Sequence, residues 1–141
     1  EEPKIAGISF SSFGVDKTGS PRLMHDVVAE LQAEDPNLKI DGEMTVDLAL
    51  DHKRRDEKYP FLRLHGENVN SMIFTSLSAA NSAYRLIKQF SPETEVIGPI
   101  QMGLNKPIHF TDFDSSVRDI VNITAVAVID AYVNKIKNTR K

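Results

Sequence analysis

KIAGISFSSFGVDKTGSPRLMHDVVAEL, residues 4–31, changes its hydrophobic period part-way through, and that change decides the fold class. Ile5, Ala6, Ile8 and Phe10 form a β-rich run suited to a buried strand, which breaks at Ser11, Ser12, Phe13 and Gly14. Beyond the break, Pro21 sits where a first helical turn accepts proline. Leu23, Val27 and Leu31, with Met24 and Val28 beside them, then recur at helical spacing as far as Glu34. A strand that runs through a polar loop into an amphipathic helix opens an α/β unit, because parallel strands need a long crossover, usually helical.

The alternation continues outward from this stretch. Asp35, Pro36 and Asn37 stop the helix, and residues 38–43 read as a short strand with a turn at Asp41-Gly42. A short helix is expected over residues 45–50. Residues 51–68, DHKRRDEKYPFLRLHGEN, read as a surface excursion in which 51–58 alternate in sign as a solvated face. Residues 71–74 form the next strand, and Ser78 is placed to cap a helix carrying Ala79, Ala83, Leu86, Ile87 and Phe90 on one face, closed by Pro92. Residues 94–98 read as a fourth strand, 99–107 as a loop and 108–110 as a brief extended piece. A last helix over 116–137 would be roughly 30 Å long. The whole implies one α/β domain with a mostly parallel sheet and right-handed crossovers.

Composition narrows the function classes without choosing one. At 141 residues with 40% hydrophobic and 26% charged content, the chain reads as a soluble globular domain. A net charge of −3 gives no long-range attraction to nucleic acid or anionic membrane. The absence of cysteine removes disulfides, thiolate nucleophiles and Cys-based zinc sites, and fits a cytoplasmic protein. Neither a signal peptide nor a membrane span is expected; the longest apolar run, 120–133, is shorter than the ~20 residues a span needs.

Four stretches invite chemistry. GVDKTGS, residues 14–20, departs from a nucleotide P-loop because Ser20 and Pro21, not Lys, follow Gly19, although the entry to a helix offers free N–H groups to an anion. Ser9, Ser11 and Ser12 read either as hydroxyl donors to a ligand or as turn formers. Asp41, Glu43, Asp47 and Asp51 match no calcium-loop spacing, and no metal site is expected there. HFTDFDSSVRDIVN, residues 109–122, supports two readings: a ligand or catalytic cluster of His109, Asp112, Asp114 and Asp119, or a capping box in which Ser116 and Asp119 satisfy a helix entrance. In the loop 98–106, Gly98 and Gly103 permit close backbone approach and Lys106 can face a phosphate.

Five segments in order carry a family resemblance: IAGISFSSFG (5–14), DGEMTVD (41–47), NSMIFTSLSAANSAYRL (70–86), VIGPIQMGLNKP (96–107) and SVRDIVNITAVAVIDA (116–131). Together they resemble the second half of phosphate acetyltransferases. PFLRLHGENVN (60–70) and VRDIVNITAVAVIDA (117–131) are closer still to the phosphotransacetylase-like C-terminal region of the large bacterial NADP-dependent malic enzymes. The resemblance implies a three-layer α/β/α fold of the isocitrate/isopropylmalate dehydrogenase type, of which residues 1–141 would be a fragment. It also implies a Ser and an Arg ahead of the last helix, acting with an acid in that helix's first turn. Asp119 matches the acid, whereas Asp112 and Phe113 occupy the Ser and Arg positions. Acetyl transfer needs donors for phosphate and for a developing oxyanion, and an Asp and a Phe provide none.

The malic-enzyme resemblance therefore implies a regulatory and assembly segment that senses an acyl-CoA such as acetyl-CoA, through contacts drawn from Ser11, Ser12, Gly98, Gly103, Lys106 and Asp119. NADP and Mg²⁺ or Mn²⁺ would serve the parent enzyme elsewhere. A divergent phosphate acyltransferase moving acetyl between CoA and phosphate is the rival, and a ligand-free assembly surface a third possibility. Apolar residues on more than one face of the last helix point to cover by another domain or a second copy, in at least a dimer.

Overall fold

The computed structural model describes residues 1–91, 93 and 96–139, with side chains described as far as residue 136. Two compact units divide the chain, Glu1–Ile87 and Lys88–Lys141.

The first unit is built on a three-stranded parallel sheet in the order β2-β1-β3, formed by β1 (Ile5–Ile8), β2 (Ile40–Met44) and β3 (Ser71–Phe74). Between β1 and β2 runs α1 (Gly19–Glu34), and between β2 and β3 lie α2 (Val46–Leu50) and α3 (His52–Lys58). Alternation along β1 assigns the layers. Ala6 and Ile8 join Met44, Leu48, Ala49 and Leu64 in one core, under α2 and the segment that follows α3. Ile5 packs with Met24, Val28 and Ile40 in the second core, under α1. The sheet thus has helix on both faces, the arrangement that buries a parallel sheet.

Of the two apolar rows read along α1, the fold buries the Met24 and Val28 row and leaves Leu23 and Val27 exposed. Asp41 and Gly42 do not turn. They lie inside β2, paired with Ala6 and Gly7, and all five residues of β2 are buried. The Asp41 side chain accepts hydrogen bonds from Leu64 N (2.7 Å) and Gln32 Nε2 (3.1 Å), while burial pushes its carboxyl above the usual carboxylate range.

The charged excursion also folds differently from its reading. Residues 52–58 are helical, capped by Asp51 Oδ1 on Arg54 N at 3.1 Å, and Leu62, Leu64 and Arg55 are buried. Arg55 donates to the carbonyls of Ala49 (3.2 Å), Leu64 (2.8 Å) and Glu67 (2.5 Å), and Asp56 accepts from Gly66 N (2.7 Å), so α3 clamps the irregular chain that closes over the core. Arg63 binds the last carbonyls of α1 and its exit, at Gln32 (3.1 Å) and Pro36 (3.1 Å), where a cation meets the negative end of the helix.

At the amino ends of the strands Glu67 pairs with Lys4 and with Lys39, the latter at 2.6 Å. Hydrogen bonds from Lys39 and then Lys4 hold the Glu67 carboxyl down at about 2 from an ordinary 4.5. A depressed folded-state pKa contributes stability that is complete above the unfolded value and is lost as pH falls through the folded one. Urea titrations should therefore show wild type more stable than Glu67→Gln at pH 6, with the gap closing between about pH 4.5 and 2. A gap that persists unchanged at pH 2 would remove the carboxylate from the account.

The helix after β3, α4, spans Leu77–Phe90 and is capped by Ser76, whose Oγ accepts from Ala79 N at 3.2 Å, two residues earlier than the expected Ser78. It has no buried residue, and Leu86, Ile87 and Phe90 are exposed.

In the second unit, residues 96–110 form no regular element, so the described part of the expected fourth strand, 96–98, is not a strand; Pro92, Thr94 and Glu95 lie outside the described residues. The last helix, α5 (Val117–Thr139), buries Ile123 and exposes Val121, Val128, Ile129 and Tyr132. Among the described residues no helix is long and apolar enough to cross a membrane.

Candidate functional site

The connection leaving β1 goes to α1 on one face of the sheet, and the connection leaving β2 goes to α2 on the other. Neighbouring loops that depart to opposite faces leave a crevice at the carboxyl ends of their strands, the place where open α/β sheets hold ligands. A cleft of about 790 Å³ lies there, lined by Ser11 and Ser12 after β1, Thr45 and Asp47 after β2, and Lys58 and Tyr59 at the end of α3.

Both predicted serines are in this cleft and both are buried. Ser11 Oγ accepts from Asp16 N at 2.9 Å and Ser12 Oγ from Thr45 N at 3.2 Å, so each hydroxyl shapes the loops that form the walls. Arg54 pairs with Asp47 at 3.0 Å, and Asp16 accepts from Thr18 Oγ1 at 2.7 Å, which holds its carboxyl below the usual range. Among the described residues Lys17 and Lys58 have no such partner, and they give the cleft its positive character.

A β-bulge sets the loop beside it. The pairing of β1 with β2 jumps from Gly7–Gly42 to Ile8–Met44, leaving Glu43 over. The fully buried Glu43 side chain accepts from Gly14 N (2.5 Å) and meets His25 Nδ1 of α1 (3.1 Å), while its carbonyl accepts from Phe13 N (2.9 Å). Phe13 is held at φ 49°, in the sparsely populated left-handed region. His25 opens onto a smaller cavity of about 290 Å³ that it shares with Lys17 and Arg22. The four acids 41, 43, 47 and 51 do not converge on a common point: Asp41 and Glu43 are committed to backbone amides, Asp47 to Arg54 and Asp51 to the α3 cap.

The remaining predicted residues belong to the second unit. Gly98 and Gly103 have φ of 144° and 83°, and Lys106 is exposed. HFTDFDSSVRDIVN proves to contain the capping box. Ser116 Oγ accepts from Asp119 N (3.1 Å), and Asp119 Oδ2 accepts from Ser116 N (3.0 Å) and from Ser116 Oγ (2.8 Å). These bonds, with the Ser116 hydroxyl first, hold the Asp119 carboxyl below its ordinary value. Asp112 and Phe113 are fully outside this box, and both are exposed. His109 Nε2 lies 3.8 Å from Asp130 Oδ2.

Residues 1–128 match the phosphate acetyl/butaryl transferase family. The chain belongs to that family. Within it, the chain is 37% identical over 130 residues to an NADP-dependent malic enzyme from Salmonella typhimurium, an alignment that covers 92% of this chain and 17% of that protein. It is also 35% identical over 130 residues to a phosphate acetyltransferase from Clostridium acetobutylicum, covering 92% of this chain and 38% of that one. The EutD phosphotransacetylase from Staphylococcus aureus superposes with a TM-score of 0.75 at 30% identity, over 94% of this chain and 40% of its own. This member of the phosphate acetyl/butaryl transferase family thus spans about a sixth of the malic enzyme and two fifths of the acetyltransferases. It shares the α/β fold of the latter.

Sequence reasoning singled out Ser11 and Ser12, which line this cleft, but missed Lys17, Lys58 and Tyr59 as cleft residues. Lys17 and Lys58 are 41 positions apart, and only the adjacency of β1 and β2 brings their loops together.

Proposed function

We propose that this chain is a regulatory and assembly segment of an NADP-dependent malic enzyme, one that binds an acyl-CoA such as acetyl-CoA without transferring its acyl group. The observation that carries the reading is the pair Asp112 and Phe113, standing where the family resemblance puts a Ser and an Arg. A carboxylate there repels phosphate, and a phenyl ring offers no hydrogen bond to a developing oxyanion. Supporting the assembly role, α5 exposes Val121, Val128, Ile129 and Tyr132, an apolar surface suited to a second copy. On this reading the oxidation of malate, with NADP and Mg²⁺ or Mn²⁺, is carried by residues outside this chain, and the protein works in the cytoplasm.

The test is made on the full-length protein, incubated with acetyl-CoA and inorganic phosphate in one arm and assayed for malate-dependent NADPH formation with and without acetyl-CoA in the other. The expected result is no acetyl phosphate above the enzyme-free blank and a changed rate of NADPH formation. Sustained acetyl phosphate production would favour the divergent acyltransferase instead. No transfer together with an unchanged malate rate would reduce the segment to an assembly surface.

A further inference from the structure

The loop between β1 and α1 is a wall shared by two cavities. Asp16 and Lys17 line the cleft of about 790 Å³ on one side and the smaller cavity of about 290 Å³ on the other. Phe13, in the same loop, packs its ring 4.3 Å from that of Tyr59, which with Phe10 gives the cleft an aromatic wall. Where this loop stands therefore decides what the cleft presents. Glu43 holds it at two points, through Oε1 on Gly14 N at 2.5 Å and through its carbonyl on Phe13 N at 2.9 Å.

Strand register explains how Glu43 gets there. Ile40 packs beside Met24 and Val28 under α1, so strict alternation along β2 would turn residue 42 toward α1 and residue 43 away from it. The bulge at residues 43 and 44 reverses that order: Met44 enters the opposite core and Glu43 comes round to α1. A fully buried carboxyl group there needs a donor for each oxygen. Gly14 N supplies one and His25 Nδ1 the other, and among the described residues no third group donates to it. His25 itself is 51% exposed and belongs to neither core, so packing does not account for its place.

We infer that His25 is a positioning residue for the cleft: by holding Glu43 Oε2 it keeps Oε1 on Gly14 N, and with it the loop 13–17 in place. Without His25, one oxygen of a buried carboxyl group has no donor; the group turns toward water and releases Gly14 N. The placement of the loop stands on these contacts alone. Only its consequence for an effector rests on the acyl-CoA reading.

Amide hydrogen exchange on the full-length protein reads the loop directly. His25→Leu should speed exchange in residues 11–18 about tenfold while leaving Ser71–Phe74 as in wild type. His25→Asn sets an amide N–H near the place of Nδ1 and should restore most of the protection. Arg22→Gln is the control: it alters the same small cavity through a residue bound to Asp26, and exchange in 11–18 should not move. In the malate assay, the acetyl-CoA concentration giving half the full effect should rise about tenfold in His25→Leu and return toward wild type in His25→Asn, with the basal rate and the KM for malate unchanged. If the wild-type rate ignores acetyl-CoA, the regulatory reading fails and the exchange pattern alone decides the inference. Unchanged exchange in 11–18, equal acceleration in Ser71–Phe74, or no rescue by asparagine overturns it. So does an opened loop whose half-effect concentration has not moved, because the loop would then be separate from the cleft.

Discussion

Replacing Arg55 with methionine should lower the stability of the first unit by about 3 kcal/mol or more, a fall in melting temperature of roughly 12 °C for a unit of this size. The guanidinium is completely buried and divides its N–H groups among the carbonyls of Ala49, Leu64 and Glu67. Methionine fills nearly the same volume, so the loss is not a cavity. It is the desolvation of three carbonyls that have lost a charged donor, together with an Asp56 carboxylate whose Arg55 neighbour at 3.5 Å has gone. Lysine at 55 should recover little, because one ammonium cannot reproduce a planar fork aimed at carbonyls on separate segments. Arg54→Met, one residue away, is the control. Its partner Asp47 is 55% exposed and Arg54 itself 51%, and such surface pairs contribute about 0–1 kcal/mol. Thermal melts of the three variants decide the matter, and an Arg55→Met protein as stable as wild type would dismiss the clamp.

That contrast also marks where the sequence was legible. Ile5–Ile8 and Ser71–Phe74 could be read as strands because short apolar runs ending at turn residues say the same thing locally as they do in the fold. Ser116 and Asp119 were readable as a cap because every bond in the box joins residues three apart. Arg55 was not, since within DHKRRDEK it differs from Arg54 only in which side of a two-turn helix it occupies, and the carbonyls that receive it come from 6, 9 and 12 residues further off. The serines of the cleft were visible as a strand end, but its lysines and its aromatic wall needed the strand order. Asp41-Gly42 misled for a related reason. As a dipeptide it signals a turn, and only its pairing with Ala6-Gly7 makes it a strand.

Gly42→Ala should therefore be among the most damaging single substitutions in the chain, costing about 4 kcal/mol. A Cβ at residue 42 would stand 2.7 Å from the Gly7 carbonyl oxygen and 2.9 Å from Gly7 Cα. Neither is a side-chain end that can swing aside; both are backbone of the central strand, so relief requires β1 and β2 to move apart at the base of the cleft. Residue 42 also sits at φ 154°, outside the range that residues with a Cβ favour. Gly66→Ala separates the two causes. It faces a positive φ of 75° with no atom within 4 Å, and should cost only the ~1–2 kcal/mol of the left-handed backbone. The damage at 42 should reach the site as well, because displacing β2 carries Glu43 away from Gly14 and His25, and with it the loop that brings Lys17 to the cleft. Urea unfolding of both variants, with amide exchange along residues 5–17, checks the sequence of effects: a Gly42→Ala protein no less stable than Gly66→Ala would show that β1 and β2 tolerate the extra carbon, and the close approach of the two glycines would lose its role in shaping the site.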